Sequence, residues 1–196
     1  ENLVQAVTDS LFVELEASGR HVHVTGEQAL TLFGHPLTPA RPLSQPGQFL
    51  ARERVTLVAE KGEFRDVAVL GPERREGQVE ISLTDGRVLG IAPPVRLSGD
   101  VEGTPGIVLL GSNGRVELTQ GVIAAKRHIH LTPRAAAHFG VKNGENVKLK
   151  ALTRRPVIFE DVSVRVSEQF APFAHLDYDE ANACGFCKGD LGRILK

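Results

Sequence analysis

The sequence contains no methionine, no tryptophan, one tyrosine and two cysteines among its 196 residues. Because methionine is absent, we expect that the chain does not begin at its initiator residue. The two cysteines, Cys184 and Cys187, cannot form a zinc site of four cysteines, which needs a second pair. A redox pair stays open, but the βα context of a thioredoxin is missing. We therefore interpret both cysteines as small apolar residues of a reduced cytosolic protein.

An excess of charge of one sign and long apolar runs are also lacking. The formal net charge is -1, so no broad electrostatic field favours nucleic acid or an anionic membrane as a partner. No apolar run approaches the roughly 20 residues that a membrane-spanning helix needs. These absences predict a soluble intracellular protein that binds neither nucleic acid nor membranes.

The chain instead contains short apolar runs, which are separated by its 20 glycines and 11 prolines. Several runs alternate apolar with polar residues, which is the period of a half-buried strand. The runs are Phe12–Leu15, Val55–Val58, Val67–Leu70, Val79–Leu83, Ile107–Leu110, Val122–Ala125, Val147–Leu149, Val157–Ile158 and Val162–Val166. Their spacing predicts a mostly β protein built as small barrels or a sandwich, and not from alternating βαβ units.

Two short helices are predicted from their capping residues. Thr25 is a candidate N-cap with Gln28 three residues later, which is a capping box, and Gly34 ends the segment. Thr132 is a second candidate N-cap, and Pro133 follows it at the first helical position. Both helices follow directly on the same short motif.

That motif belongs to an internal repeat. Residues 20–25 read Arg-His-Val-His-Val-Thr, and residues 127–132 read Arg-His-Ile-His-Leu-Thr. Further along the chain, residues 64–69 resemble residues 159–164. The order of matching segments is the same in both halves, so the repeat predicts two units of similar construction.

The offset between residues 64–69 and residues 159–164, applied further along the chain, aligns Glu80 with His175. The repeat therefore also matches a carboxylate with an imidazole. Residues i and i+2 of an extended segment point to the same face. Both imidazoles of a His-x-His unit can therefore bind one ion, while the apolar residue between them packs into the core. The predicted metal ligands are His21, His23 and Glu80 in one half, and His128, His130 and His175 in the other.

Three protein ligands leave one position open, which is the plan of a catalytic zinc site. Structural zinc sites normally fill four protein positions. Imidazole and carboxylate ligands suit zinc, with iron, cobalt and manganese as alternatives. The other two histidines, His35 and His138, have no place in this pattern, and we interpret them as surface or helix residues.

Five separated motifs resemble the PduL-type phosphate acyltransferases, which are the phosphotransacylases associated with bacterial microcompartments. The likeness runs from about Phe12 to the end of the sequence. The motifs occur in the family's order and are Arg20–His23, Leu43–Phe49, Gln78–Ser82, Arg127–His130 and His175–Ala183.

The resemblance implies two small β-barrels capped by short helices and related by internal duplication, with the active site between them. The central segment, residues 20–127, would form one barrel. Residues 128–196 would form the second, which a strand at about residues 11–19 would complete. The family's di-zinc site falls on the same two ligand sets that the repeat predicts.

The family reaction moves a short acyl group between coenzyme A and inorganic phosphate. By resemblance, Arg74 is the catalytic arginine that holds phosphate, and its planar fork of donors suits that task. Ser18, Arg41 and Asn182 stand at positions that resemble coenzyme A contacts. Arg41 stands where the family often has lysine, and Gly77 where threonine is common. The expected ligands are two zinc ions, coenzyme A, phosphate and a short-chain acyl-CoA or acyl phosphate.

The resemblance places the protein in the bacterial cytoplasm, inside a microcompartment, where shell or lumen enzymes would be its neighbours. A homo-oligomer stays open. Asp179 and Glu180 are interpreted as solvated residues that lead into a helix, while a role of Asp177 in supporting the metal stays open.

Two alternative functions remain. One is a zinc-dependent hydrolase of another class, such as an amidohydrolase, but those enzymes carry a large (β/α)8 barrel. The other is a non-catalytic module whose fold is stabilised by bound zinc ions.

Overall fold

The computed structural model describes residues 11–196. Within that range the chain forms fifteen strands and four short helices, so the expected mostly β fold is confirmed. The strands are β1 (Val13–Ser18), β2 (His21–His23), β3 (Pro39–Pro42), β4 (Phe49–Val58), β5 (Glu63–Gly71), β6 (Gln78–Glu80), β7 (Val95–Arg96), β8 (Ile107–Leu110), β9 (Arg115–Leu118), β10 (Val122–Ala125), β11 (His128–Leu131), β12 (Asn146–Leu152), β13 (Val157–Val166), β14 (Phe173–Asp177) and β15 (Leu191–Leu195). The helices are α1 (Gly26–Phe33), α2 (Leu83–Leu89), α3 (Pro133–Phe139) and α4 (Tyr178–Cys184).

One compact unit, unit one, comprises residues 11–18 and Lys126–Lys196. Its strands close into a six-stranded barrel in the order β1-β14-β11-β13-β12-β15. Strand β12 illustrates the local cause, since Val147, Leu149 and Ala151 are buried while the residues between them are exposed. This period of two places one face of the strand in the barrel core.

The other compact unit, unit two, comprises Gly19–Ala125. Its strands form a curled half-barrel in the order β7-β10-β6-β2-β5-β4-β8-β9, and β3 pairs with β4. Each unit has its own core. Val22 and Ile129, the apolar residues inside the two His-x-His motifs, are fully buried members of these two cores, as the repeat requires.

The two helices predicted from capping residues are confirmed. Thr25 and Gln28 form the capping box of α1, and Thr132 caps α3 with Pro133 in its first turn.

Helix α2 was missed, because the run Val79–Leu83 was interpreted as one strand. Its N-cap Ser82 and the third helical residue, Asp85, form a capping box that ends strand β6 before the helix. The Ser-x-x-Asp signature of a capping box was present in the sequence. Here it indicated the local structure better than the apolar run did.

Candidate metal centre

Unit two brings His21, His23 and Glu80 together as one buried group, here called the Glu80 triad. Strands β2 and β6 are antiparallel neighbours, and their register sets His21 opposite Glu80. The ligand-type atoms of the three side chains all lie within 4.8 Å of one another. The structure therefore assembles the first predicted ligand set in a form that could hold a metal ion.

Unit one assembles the second set, His128, His130 and His175, here called the His175 triad. Strands β11 and β14 are antiparallel, and their register sets His128 opposite His175, just as His21 stands opposite Glu80 in unit two. The ligand-type nitrogens again lie within 4.8 Å of one another. The same strand geometry thus produces one triad in each unit.

Backbone carbonyls set which nitrogen several of these rings present. The Nδ1–H of His21 donates to the carbonyl oxygen of Gly19 at 2.8 Å, and that of His128 donates to Lys126 at 2.9 Å. A carbonyl can only accept, so it assigns the proton to Nδ1. The Nε2 atoms then keep their lone pairs, and Nε2 of His21 lies 3.5 Å from the Glu80 carboxylate.

His175 has a carboxylate neighbour in place of a carbonyl. Its Nδ1 lies 3.3 Å from the Glu16 Oε2 atom of strand β1. A carboxylate that accepts from one imidazole nitrogen orients the ring and makes the other nitrogen a better ligand. Strand β1 therefore completes the barrel and also supports the third ligand of its triad.

His130 provides an observation that tests whether a cation fits the His175 triad. Both ring nitrogens are buried, and neither has a hydrogen-bond partner among the described residues. Burial, together with the nearby charges of His128 and Arg165, lowers the pKa of His130 to about 3. The ring packs against Phe170 with centroids 4.1 Å apart. A buried, neutral imidazole without a partner is the form in which histidine binds a metal.

Charges within the Glu80 triad are strongly coupled. Burial opposes the charged form of Glu80, but the nearby imidazoles of His21 and His23 hold the pKa of its carboxyl well below the ordinary value. Burial likewise opposes the charged form of His21, but attraction to Glu80 raises its pKa. The pKa of His23 is lowered by burial and by the charges of His21 and Arg74. The buried carboxylate thus requires a positive partner, which is the role that a bound cation takes.

Arg74, the predicted phosphate ligand, lies beside the Glu80 triad. Its charge acts on both His21 and His23, and its Nη1 donates to the Ser98 hydroxyl at 3.0 Å. Arg74 also lines a pocket with Pro46, Gly47, Gln48, Gly71 and Pro72. Residues 46–48 belong to one of the five motifs that carry the family resemblance.

Two polar residues connect Arg74 to the triad. The Gln78 amide donates to Glu80 Oε1 at 2.6 Å and to Ser98 Oγ at 2.9 Å. Its oxygen accepts from the Gly99 N–H at 2.7 Å. The sequence motifs predicted no role for either side chain. The period of two that places Gln78 on the same strand face as Glu80 was a usable signal, whereas Ser98 reaches the site from a distant loop.

The three predicted coenzyme A contacts lie on different elements. Ser18 ends strand β1, paired in register with Asp177, and Asn182 is an exposed residue of α4. Both belong to unit one. Arg41 is exposed on strand β3 of unit two. The structure draws none of them into a triad, so their role stays a prediction.

The residues after His175 turn out to be capping residues. Asp177 is the N-cap of α4, and Glu180 completes its capping box. Glu180 also forms an ion pair with Arg127 at 2.7 Å, so it is more than a solvated residue.

The two cysteines near the end of the sequence are both free thiols. Cys184 is buried in the core of unit one, whereas Cys187 is exposed.

Comparisons with known proteins show which family the chain is similar to. A family model described as phosphate propanoyltransferase matches residues 14–187. A phosphate propanoyltransferase of Enterococcus faecalis is 54% identical over 93% of this chain and 88% of its own length. One from Clostridioides difficile is 50% identical over 100% of this chain and 95% of its own length. One from Thermotoga maritima is 52% identical over 91% of this chain and 87% of its own length.

The helices of the described range are short and insufficiently apolar, and none of them could span a membrane.

Proposed function

The chain belongs to the phosphate propanoyltransferase family of acyltransferases, and we propose that it transfers a short acyl group between coenzyme A and inorganic phosphate with two bound divalent cations. Propanoyl-CoA is the acyl donor that the names of its relatives support. The observation that carries the proposal is the pair of buried triads, one in each unit, with an arginine beside one of them.

The Glu80 triad would hold one cation and the His175 triad the other, and we propose zinc for both. Donor type supports zinc, since imidazole nitrogens and a carboxylate oxygen are its usual ligands in catalytic sites with an open position. When bound, such a cation lowers the pKa of a thiol and polarises a carbonyl oxygen. The neutral form of His130 and the carboxylate form of Glu80 are the protonation states that binding requires.

Arg74 is the proposed phosphate ligand. A guanidinium offers paired donors to two phosphate oxygens, and its charge draws the dianion towards the triad. Arg74 donates a hydrogen bond to Ser98, and the Gln78 amide donates to both Ser98 and Glu80. These bonds fix the Arg74 guanidinium relative to Glu80. A positioned phosphate oxygen can then attack the thioester carbonyl carbon. The C–S bond breaks, and acyl phosphate and the coenzyme A thiolate are the products.

We propose direct transfer, without an acylated side chain. Neither cysteine belongs to a triad: Cys184 packs in the core of unit one, and Cys187 lies beyond α4. Ser18, Arg41 and Asn182 are the proposed contacts to coenzyme A, a role supported by the motif resemblance. That resemblance also supports a location inside a bacterial microcompartment.

Replacing Arg74 by alanine tests the proposal. Loss of the donors that hold phosphate should reduce propanoyl transfer roughly 10²-fold or more, while the metal content stays at that of the parent protein. Arg75→Ala is the matched control, because it removes an exposed arginine from the adjacent position. The measurement is release of coenzyme A from propanoyl-CoA, with and without phosphate.

Equal activity of the Arg74→Ala and Arg75→Ala proteins would refute the phosphate assignment. Release of coenzyme A that does not require phosphate would identify a hydrolase and refute the transfer reaction itself.

A further inference from the structure

The arginine that precedes each His-x-His motif occupies a socket with the same components in both units. In unit two, Arg20 contacts Asp85 through two hydrogen bonds, Nε to Oδ2 at 3.1 Å and Nη2 to Oδ1 at 2.6 Å. The guanidinium carbon also lies 4.1 Å from the ring centroid of Phe64, within the range of a cation–π contact. The Asp85 side chain is only 7% exposed, so Arg20 supplies a compensating charge to a carboxylate that is largely withdrawn from water.

Arg127 repeats the arrangement in unit one. Its Nη1 donates to Glu180 Oε1 at 2.7 Å, and its Nε donates to the carbonyl oxygen of Glu160 at 2.7 Å. The guanidinium carbon lies 6.0 Å from the ring centroid of Phe159. The arginine, the aromatic residue and the carboxylate therefore stand at matching positions of the internal repeat.

Each socket connects the two segments that supply one triad. Arg20 is adjacent to His21, the first ligand, whereas Asp85 lies in the first turn of α2, the helix that follows Glu80. In unit one, Arg127 is adjacent to His128, and Glu180 lies in the first turn of α4, which follows His175. The ion pair thus joins the His-x-His strand to the helix behind the third ligand.

We infer that Arg20 and Arg127 are positioning residues, each of which sets how tightly the cation of its own unit is held. The inference rests on the proposed function, because it concerns the metals that the two triads would bind. Strand pairing fixes the backbone register, and the arginine additionally restrains the third-ligand segment against the first two ligands. Residues that orient metal ligands typically change metal affinity or activity about 10- to 100-fold when they are replaced.

Metal release from the zinc-loaded full-length protein tests the inference. Excess chromogenic chelator is added, and the release of each equivalent of zinc is followed. Arg20→Met should release one equivalent about 10- to 100-fold faster than the parent, with the second equivalent unchanged. Arg127→Met should accelerate release of the other equivalent of zinc, and the double variant should accelerate release of both equivalents. Arg20→Lys keeps the charge but loses the two-donor fork, so its rate should fall between those of the parent and Arg20→Met.

Two controls separate positioning from a general loss of stability. Arg65→Met removes an arginine of unit two whose side chain is 80% exposed, and it should release zinc at the rate of the parent. Val55→Ala creates a cavity in the core of unit two and lowers Tm while both members of the Arg20–Asp85 ion pair are kept. It should accelerate release much less than Arg20→Met.

Release from Arg20→Met at the rate of the parent would overturn this inference alone, as would equal acceleration by Val55→Ala. A parent protein that retains no cation would overturn the proposed metal chemistry together with it, and that outcome is visible before any variant is made.

Discussion

Individual histidines acquire their ligand form from local neighbours. His21 and His128 each direct Nδ1 to the backbone carbonyl two residues before them, which leaves Nε2 for a cation. The period of two in His-x-His predicted correctly which rings share a face. It did not predict which nitrogen each ring offers, because that depends on the course of the backbone at Gly19 and Lys126.

The protonation of His130 gives a prediction at the residue scale. Its folded-state pKa of about 3 lies below its ordinary value of 6.5. Below pH 6.5 the unfolded apoprotein therefore binds a proton that the folded state excludes. Stability contributed by the neutral ring is fully present above pH 6.5 and is lost as the pH falls towards 3.

Histidine NMR signals of the apoprotein, recorded from pH 7 to 4, measure this directly. The ring of His130 should stay neutral throughout the series, and His130→Gln should show a weaker decrease of unfolding free energy with acid. A His130 ring that titrates near pH 6.5 would contradict the expectation.

At the scale of elements, the two halves share a β-bulge. Asp66 in β5 and Asp161 in β13 adopt φ angles of 55° and 54°. In each strand pair the register shifts at this point, so that two residues oppose one residue of the partner strand. Left-handed backbone is tolerated by aspartate and asparagine far better than by β-branched residues. The bulge is therefore a further feature that the two halves of the repeat share, besides the triads and the arginine sockets.

Substitution of these aspartates tests the strain. Asp66→Val and Asp161→Val should each lower the free energy of unfolding by about 1–2 kcal/mol relative to the corresponding asparagine variants. The asparagine variants are matched controls, since they also remove the charge and hence the ion pairs with Arg54 and Lys126. Chemical denaturation measures both series. Equal stabilities of the valine and asparagine variants would show that the backbone is not strained there.

Sequence patterns identified elements best where capping residues and apolar period agreed. The helices after Thr25 and Thr132 were predicted because both signals point the same way. Helix α2 was missed because Val79–Leu83 suggested a longer strand, although Ser82 and Asp85 carried a capping signature. Strand β13 was divided in two, because its bulge at Asp161 interrupts the alternation.

For the whole molecule, internal duplication explains how distant segments could be paired without a structure. The alignment of Glu80 with His175 in the repeat predicted a third ligand for each half, and the structure brings each of these residues to its His-x-His pair. The antiparallel pairing that does so was not predicted. The links from Arg20 to Asp85 and from Arg74 to Ser98 were not predicted. Both contacts join segments that are distant in the sequence and close in the fold, and no local sequence period encodes that proximity.

Elemental analysis of the purified protein and three single variants tests most directly whether the two triads bind metal independently. His21→Ala and His128→Ala each remove one ligand from one triad, and His138→Ala removes an exposed histidine outside both. We expect about two equivalents of divalent cation, chiefly zinc, in the parent and in His138→Ala, and about one in each triad variant. A parent without bound cation, or triad variants that retain the metal content of the parent, would contradict the central claim.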